Sequence, residues 1–286
     1  MKKIIILGGV VIEIDAEREL YIADSTIPFL CEGEEPEVNV KVTWEWDSFY
    51  YPKTRLIGED LLQKYYFENN HYYCEAKGGK APVTSTCYDE DFRHIICAVN
   101  EKPFIQPPKS LDKILSLLPM RAIFLHFSTL FLHASQISLG NVGVLFTAPS
   151  GTGKTTQAKL WEKYKNAKII CNDRVLTRKK DGKWITYGYP VDGSEPVCSK
   201  DIQELGCIVL LEQGKENNIK KLGLAQSMAF LMEQTVFDCW NYQDREKVIE
   251  LLLNILQDIP VYKLECTPDE ESVNKLYNTL IKEGVL

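Results

Sequence analysis

The chain has 286 residues, 45% of them hydrophobic and 26% charged, a balance that suits a folded globular protein and excludes a disordered one. A net charge of -7 argues against a general nucleic-acid binder, which carries a basic excess. No apolar run reaches the ~20 residues of a membrane span, so neither nucleic acid nor membrane is an expected partner.

The N-terminal run MKKIIILGGVVIEID opens with two lysines, as a signal peptide can. Its apolar stretch passes into Ile12, Glu13, Ile14 and Asp15 in alternation, with no small-residue cleavage site, and therefore reads as strand. Short strand-like runs follow at 38–46, 71–76 and 92–99, separated by turn-like segments. Residues 1–108 are expected to form a β-rich domain, the natural place to grip a substrate. The tyrosine pairs 50–51 and 72–73 read as strand packing. Three prolines in 103–110 mark a linker. Residues 109–286 then form the second domain, opened by Ser110 as the cap of a helix whose Leu111, Ile114, Leu115 and Leu118 share a face.

From residue 129 the pattern predicts a hairpin turning at Gly140–Asn141, a glycine loop, a helix and a buried strand at 166–173. A second hairpin turns at Asp181–Gly182, and a strand covers 207–213. Helices over 224–234 and 243–257, a strand at 261–266 and a last helix complete the chain. Thr267, Pro268 and Glu270 read as the capping box of that helix. The fold class expected is α/β or α+β, a mixed sheet with helices.

Nine scattered cysteines, with no CxxC pair, argue against a disulfide framework or a zinc site and for a reducing cytoplasm.

The chemistry concentrates at Ala148-Pro149-Ser150-Gly151-Thr152-Gly153-Lys154-Thr155, which matches seven of eight places of the P-loop (Walker A) pattern GxxxxGK[ST]. Glycines 151 and 153 let backbone N–H groups turn inward, and the following helix adds its positive end. Ser150, Gly151, Thr152, Gly153, Lys154, Thr155 and Thr156 are the expected phosphate-binding residues. Lys154 meets the β- and γ-phosphates, and the Thr155 hydroxyl meets Mg²⁺. Ala148 stands where the pattern has its first glycine. Asp173, at a strand end 18 residues after Thr155, is the expected second metal ligand.

The run from Phe131 to Val175 resembles the catalytic core of the HPr kinase family, and more closely the HPr-kinase-like proteins of bacterial modified-peptide pathways. That family has a histidine on the strand before the loop, a loop GxSGxGK[ST] and a strand ending Asp-Asp. Here these are His133, residues 148–155 and Asn172-Asp173. The loop is also similar to that of ATP-dependent phosphoenolpyruvate carboxykinases. The resemblance implies transfer of the ATP γ-phosphoryl group to a serine hydroxyl of a protein or peptide, with Mg²⁺, in an enzyme that often forms oligomers. Asp173, His133 and Lys154 are then the catalytic set. Asn172 replaces the first aspartate and cannot take a proton at neutral pH. It keeps open an alternative, a nucleotide-binding adaptor with little transfer; a small-molecule kinase is a third reading. Arg174, Lys200, Arg245 and Lys263 are further basic candidates, and the loop 187–196, with Asp192, Ser194 and Glu195, is a candidate cover.

Overall fold

A computed structural model describes residues 1–50, 52–79, 81–102, 108–191 and 197–286. The chain is α+β and divides into two compact units. The first is Met1–Phe127 with Asp238–Asp244, the second Ser128–Phe237 with Arg245–Leu286. The division drawn from the prolines fell at 108/109; the folded chain divides after Phe127. Most of that linker, residues 103–107, lies outside the described residues, as do Tyr51 and the loop residues Asp192, Ser194 and Glu195.

The first unit holds β1 (Lys2–Leu7), β2 (Val10–Ala16), β3 (Leu30–Cys31), β4 (Val38–Thr43), β5 (Leu56–Glu59), β6 (Gln63–Glu68), β7 (His71–Ala76), β8 (Thr84–Tyr88) and β9 (His94–Val99). Its helices are α1 (Trp46–Phe49), α2 (Leu111–Leu117) and α3 (Met120–His126). The strands form one mixed sheet ordered β3-β1-β2-β4-β9-β8-β7-β6-β5. Alternation in sequence becomes rows across the sheet: Ile14 faces Val40, which faces Ile95, and all three are buried. Ser110 is the N-cap residue of α2, although its side chain makes no capping bond.

The segment Asp238–Asp244 completes this unit. Arg121 on α3 donates through Nε to Asp238 at 3.0 Å and pairs with Asp60. It also donates to the Tyr65 hydroxyl at 2.8 Å. Trp240 packs on Tyr65 with ring centroids 4.7 Å apart and lies flat over Gly58, where a β-carbon would meet the indole ring at 2.0 Å. Burial, then the nearby Asp238 charge, push the Asp244 carboxyl up to about 6.

The second unit holds β10 (Leu130–Leu139), β11 (Val142–Thr147), α4 (Lys154–Lys165), β12 (Lys168–Cys171), β13 (Arg174–Lys180), β14 (Lys183–Gly188), β15 (Gln203–Gln213), β16 (Asn218–Lys221), α5 (Leu224–Gln234), α6 (Tyr242–Asp258), β17 (Val261–Cys266) and α7 (Glu270–Lys282). Both predicted hairpins form. Gly140 has φ 59°, and Asp181 and Gly182 have φ 51° and 80°, the left-handed pair that a tight hairpin turn requires. Helix α7 differs from its expected cap. Asp269, not Thr267, is the N-cap and accepts from Ser272 N at 2.9 Å, while the Thr267 hydroxyl is bonded to Asn217 and Asp269.

The sheet order is β11-β10-β13-β14-β15-β17-β16, and β11 also pairs in parallel with β15. Five strands, β11, β10, β13, β14 and β15, therefore close into a ring. Buried polar groups knit it: Gln136 donates to Thr186 Oγ1 at 2.6 Å, and Ser138 donates to Gln203 Oε1 at 3.0 Å. Against β11, β15 and β17 pack Trp161 of α4 and Val273 and Leu276 of α7, in a core that also includes Phe146, Val209 and Leu264. This core fixes the two strand ends and the helix start from which the candidate site is built. Among the described residues, no helix is long and apolar enough to cross a membrane.

Candidate phosphate-binding site

Strand β11 ends in the core at Thr147, and the chain leaves it through Ala148, which is fully buried. Ala148 does not adopt a positive φ, so the first place of the loop needs a small residue rather than glycine. Gly151 and Gly153 do, with φ 80° and 116°, and both must be glycine for the loop to turn as it does. Gly153 is the N-cap residue of α4, and no side chain caps that helix. Its first N–H groups, which have no partner within the helix, point out beside the loop.

Lys154 is the first residue of α4 and is 7% exposed. Its ammonium folds back over the loop, donating to the carbonyls of Ala148 at 2.8 Å and Pro149 at 3.4 Å. Burial lowers its pKa, and the charge of Asp173 opposes that shift. Thr155 is half-buried on the same turn; Ser150 and Thr156 are exposed, and Thr152 donates to the Pro149 carbonyl at 2.9 Å.

Asp173 lies in a bend between β12 and β13, both of which pair with β10. Its oxygens lie 3.5 Å from His133 Nε2 and 3.6 Å from Arg174 Nε. The His133 bond, then Arg174, hold its carboxyl below the usual range despite partial burial. The carboxylate is therefore ionised at neutral pH, with its side chain 25% exposed. Strand alternation would place Asp173 and Arg174 on opposite faces; the bend breaks the alternation and brings the guanidinium alongside the carboxylate. His133 is held by its backbone: its carbonyl accepts from Thr147 Oγ1 at 2.9 Å, and it stands opposite Arg174 in the ladder. Asn172, by contrast, is 5% exposed, and its carbonyl accepts from Ser135 at 2.8 Å. An ionised carboxylate at 172 would have to be buried, which costs far more than burying a neutral amide.

Beside the loop lies a cleft of about 600 Å³, lined by Ser150, Gly151 and Thr152, the end of β15, Phe230 and Lys263. Lys263 reaches this cleft, paired with Glu212. Lys200 is exposed.

No family profile matches the chain, and no curated protein matches it by sequence. Among solved structures, the HPr(Ser) kinase/phosphatase from Coxiella burnetii is similar over 54% of this chain and 89% of its own. The identity is 12% and the TM-score 0.29.

Two features escape a sequence reading. Gln213, the last residue of β15, donates to the carbonyls of Gly151 and Thr152, each at 3.4 Å. It is brought there by the parallel pairing of β15 with β11, for which no local signal exists. Cys171 and Cys198 stand opposite each other in a short antiparallel bridge, 27 positions apart in sequence. Cys171 is buried, and its thiol donates to the carbonyls of Arg174 at 3.0 Å and Tyr189 at 3.7 Å.

Proposed function

We propose that the chain is a phosphotransferase that moves the γ-phosphoryl group of ATP to a hydroxyl, a serine of a peptide or protein. The observation that carries the reading is a set of three groups: the uncapped start of α4, the Lys154 ammonium folded over the loop with the Asp173 charge favouring its protonated form, and the Asp173–His133 pair. A phosphate placed at the helix start would draw Lys154 off the two loop carbonyls, exchanging neutral acceptors for charged ones. The loop amides from Ser150 to Thr156 would hold the remaining oxygens. Asp173 would accept the proton of the acceptor hydroxyl, with His133 fixing the carboxylate's direction. Catalysis would be mostly positioning and charge neutralisation.

The residues fit Mg²⁺. Among the described residues, no group of three His, Cys, Asp or Glu could hold a metal alone. An ionised Asp173 and the Thr155 hydroxyl supply hard oxygen ligands, and Mg²⁺ takes most of its others from phosphate and water. When bound, it would neutralise charge on the β- and γ-phosphates. The cleft lined by Phe230 and Lys263 has room for the nucleoside. Nine free cysteines suit a reducing cytoplasm.

Phosphoryl transfer from γ-labelled ATP with Mg²⁺, offered to serine, serine peptides and a host lysate, tests the proposal. Label in a peptide or protein supports it, and label only in a small molecule moves the acceptor class. Tight MgATP binding without transfer favours the adaptor reading, to which Asn172 points.

A further inference from the structure

We propose that Cys171 and Cys198 form a reversible thiol–disulfide switch acting on the bend that carries Asp173. The bond itself needs no kinase reading; its effect on transfer rests on the function proposed above. Cys171 is the last residue of β12, two before Asp173, and it faces Cys198 across an antiparallel bridge. The flanking bond runs from Ser199 N to Ile170 O at 2.8 Å, which makes the two cysteines a non-hydrogen-bonded pair. Opposed residues of that kind have Cα atoms about 4.5 Å apart, and their side chains approach more closely than at the alternate positions. That separation lies inside the range a disulfide spans. Gly188 on β14 is part of the arrangement. A β-carbon there would meet Cys198 Sγ and the Ser199 carbonyl, each at 2.7 Å, so a larger residue would push Cys198 away.

The reduced pair holds the bend. The Cys171 thiol donates to the Arg174 carbonyl at 3.0 Å, spanning Asn172 and Asp173. A peroxide removes two electrons from the pair in two steps. One thiol takes an oxygen as the O–O bond breaks, giving a sulfenic acid and one water. The other sulfur then displaces that oxygen as a second water, and the S–S bond forms. Both thiol protons leave, so the bond to the Arg174 carbonyl is lost and Sγ of Cys171 turns toward Cys198. The bend relaxes, and Asp173 loses its fixed position against His133 and the loop. Cys171 is buried while Cys198 is partly exposed, so small oxidants reach the pair from the Cys198 side.

The full-length protein is treated, folded, with a small excess of hydrogen peroxide and mapped by mass spectrometry without reduction. A Cys171–Cys198 linked peptide is expected, with at least a tenfold fall in phosphoryl transfer that dithiothreitol restores. Cys198→Ser should transfer phosphate as the reduced wild type does and resist peroxide. Absence of the linked peptide overturns the proposal, and so does a linked protein with unchanged transfer. If the reduced protein transfers no phosphate, the kinase reading fails separately. Amide exchange at residues 172–174 then decides: faster exchange on oxidation supports the switch, and unchanged exchange overturns it.

Discussion

Replacing Lys154 by methionine separates a phosphate-binding lysine from a structural one. Methionine keeps much of the side-chain length and loses the charge. With phosphate bound, the ammonium makes a charge-assisted hydrogen bond worth about 1.5–3 kcal/mol. At ~1.4 kcal/mol per decade, its loss weakens MgATP binding about 10- to 150-fold. Without ligand, the effect on stability runs the other way. Burial depresses the pKa of Lys154, so the folded protein holds this proton less tightly than the unfolded chain does. The charge therefore subtracts from stability below the folded pKa, and the deficit disappears as pH rises past the unfolded value. Methionine removes it, against the cost of freeing two loop carbonyls of one donor. The melting temperature of the free protein should hold or rise. At a nucleotide concentration of ~100 times the wild-type Kd, ligand stabilisation is about 2.7 kcal/mol, and a 30-fold weaker site keeps about 0.9 kcal/mol. Calorimetry and melting curves with and without MgATP read both quantities. A Kd within threefold of wild type would refute the phosphate role. A free protein that melts more than about 5 °C lower would make Lys154 a structural pin, since that shift corresponds to one or more kcal/mol.

Asp173→Asn should cut transfer by about 10²- to 10⁴-fold in the labelled-ATP assay. It should also flatten the acid end of the stability curve. A carboxyl with a lowered folded pKa adds stability that is complete above its unfolded value of ~3.9 and is lost as pH falls through the folded value. Trp161→Ala should cost about 3–5 kcal/mol in denaturant unfolding, since the side chain is fully buried. Trp161→Phe should cost much less, because the indole N–H it removes is buried without a partner. The raised Asp244 carboxyl predicts the opposite slope to Asp173. Between pH ~4 and about 6 the folded chain holds this proton more tightly, so its contribution to stability declines as pH rises through that window and is level above it. Urea midpoints from pH 4 to 7 should show this, and Asp244→Asn should remove it.

Local chemistry was legible where one short stretch decides the outcome. Asp181–Gly182 can take the left-handed pair of a tight turn, and Gly151 and Gly153 the turns of the loop, so both elements announce themselves. Helices α5 and α6 lie within one residue of their expected bounds at each end. Competition between neighbours was harder to read. Thr267 has the right type and spacing for a cap, yet its hydroxyl is taken by Asn217 and Asp269, and Asp269 caps instead. The contact of Arg174 with Asp173 depends on a bend that alternation cannot foresee. Closure of the five-strand ring depends on β11 meeting β15 some 60 residues later, and no local pattern encodes that partner. The placement of Gln213 and Lys263 at the loop depends on the same long-range pairing and on β17 beside it.

The seven residues 238–244 belong to the first unit but are made long after it. On a ribosome adding ~5–20 residues per second, the chain from Phe127 to Asp244 takes roughly 6–23 s to appear. Throughout that interval Arg121 has Asp60 but lacks Asp238, and Tyr65 and Gly58 lack the indole that covers them. The N-terminal half is therefore completed by its late segment, after the glycine loop at 148–155 has left the ribosome. A fragment ending at Phe127 would carry that unfinished surface permanently.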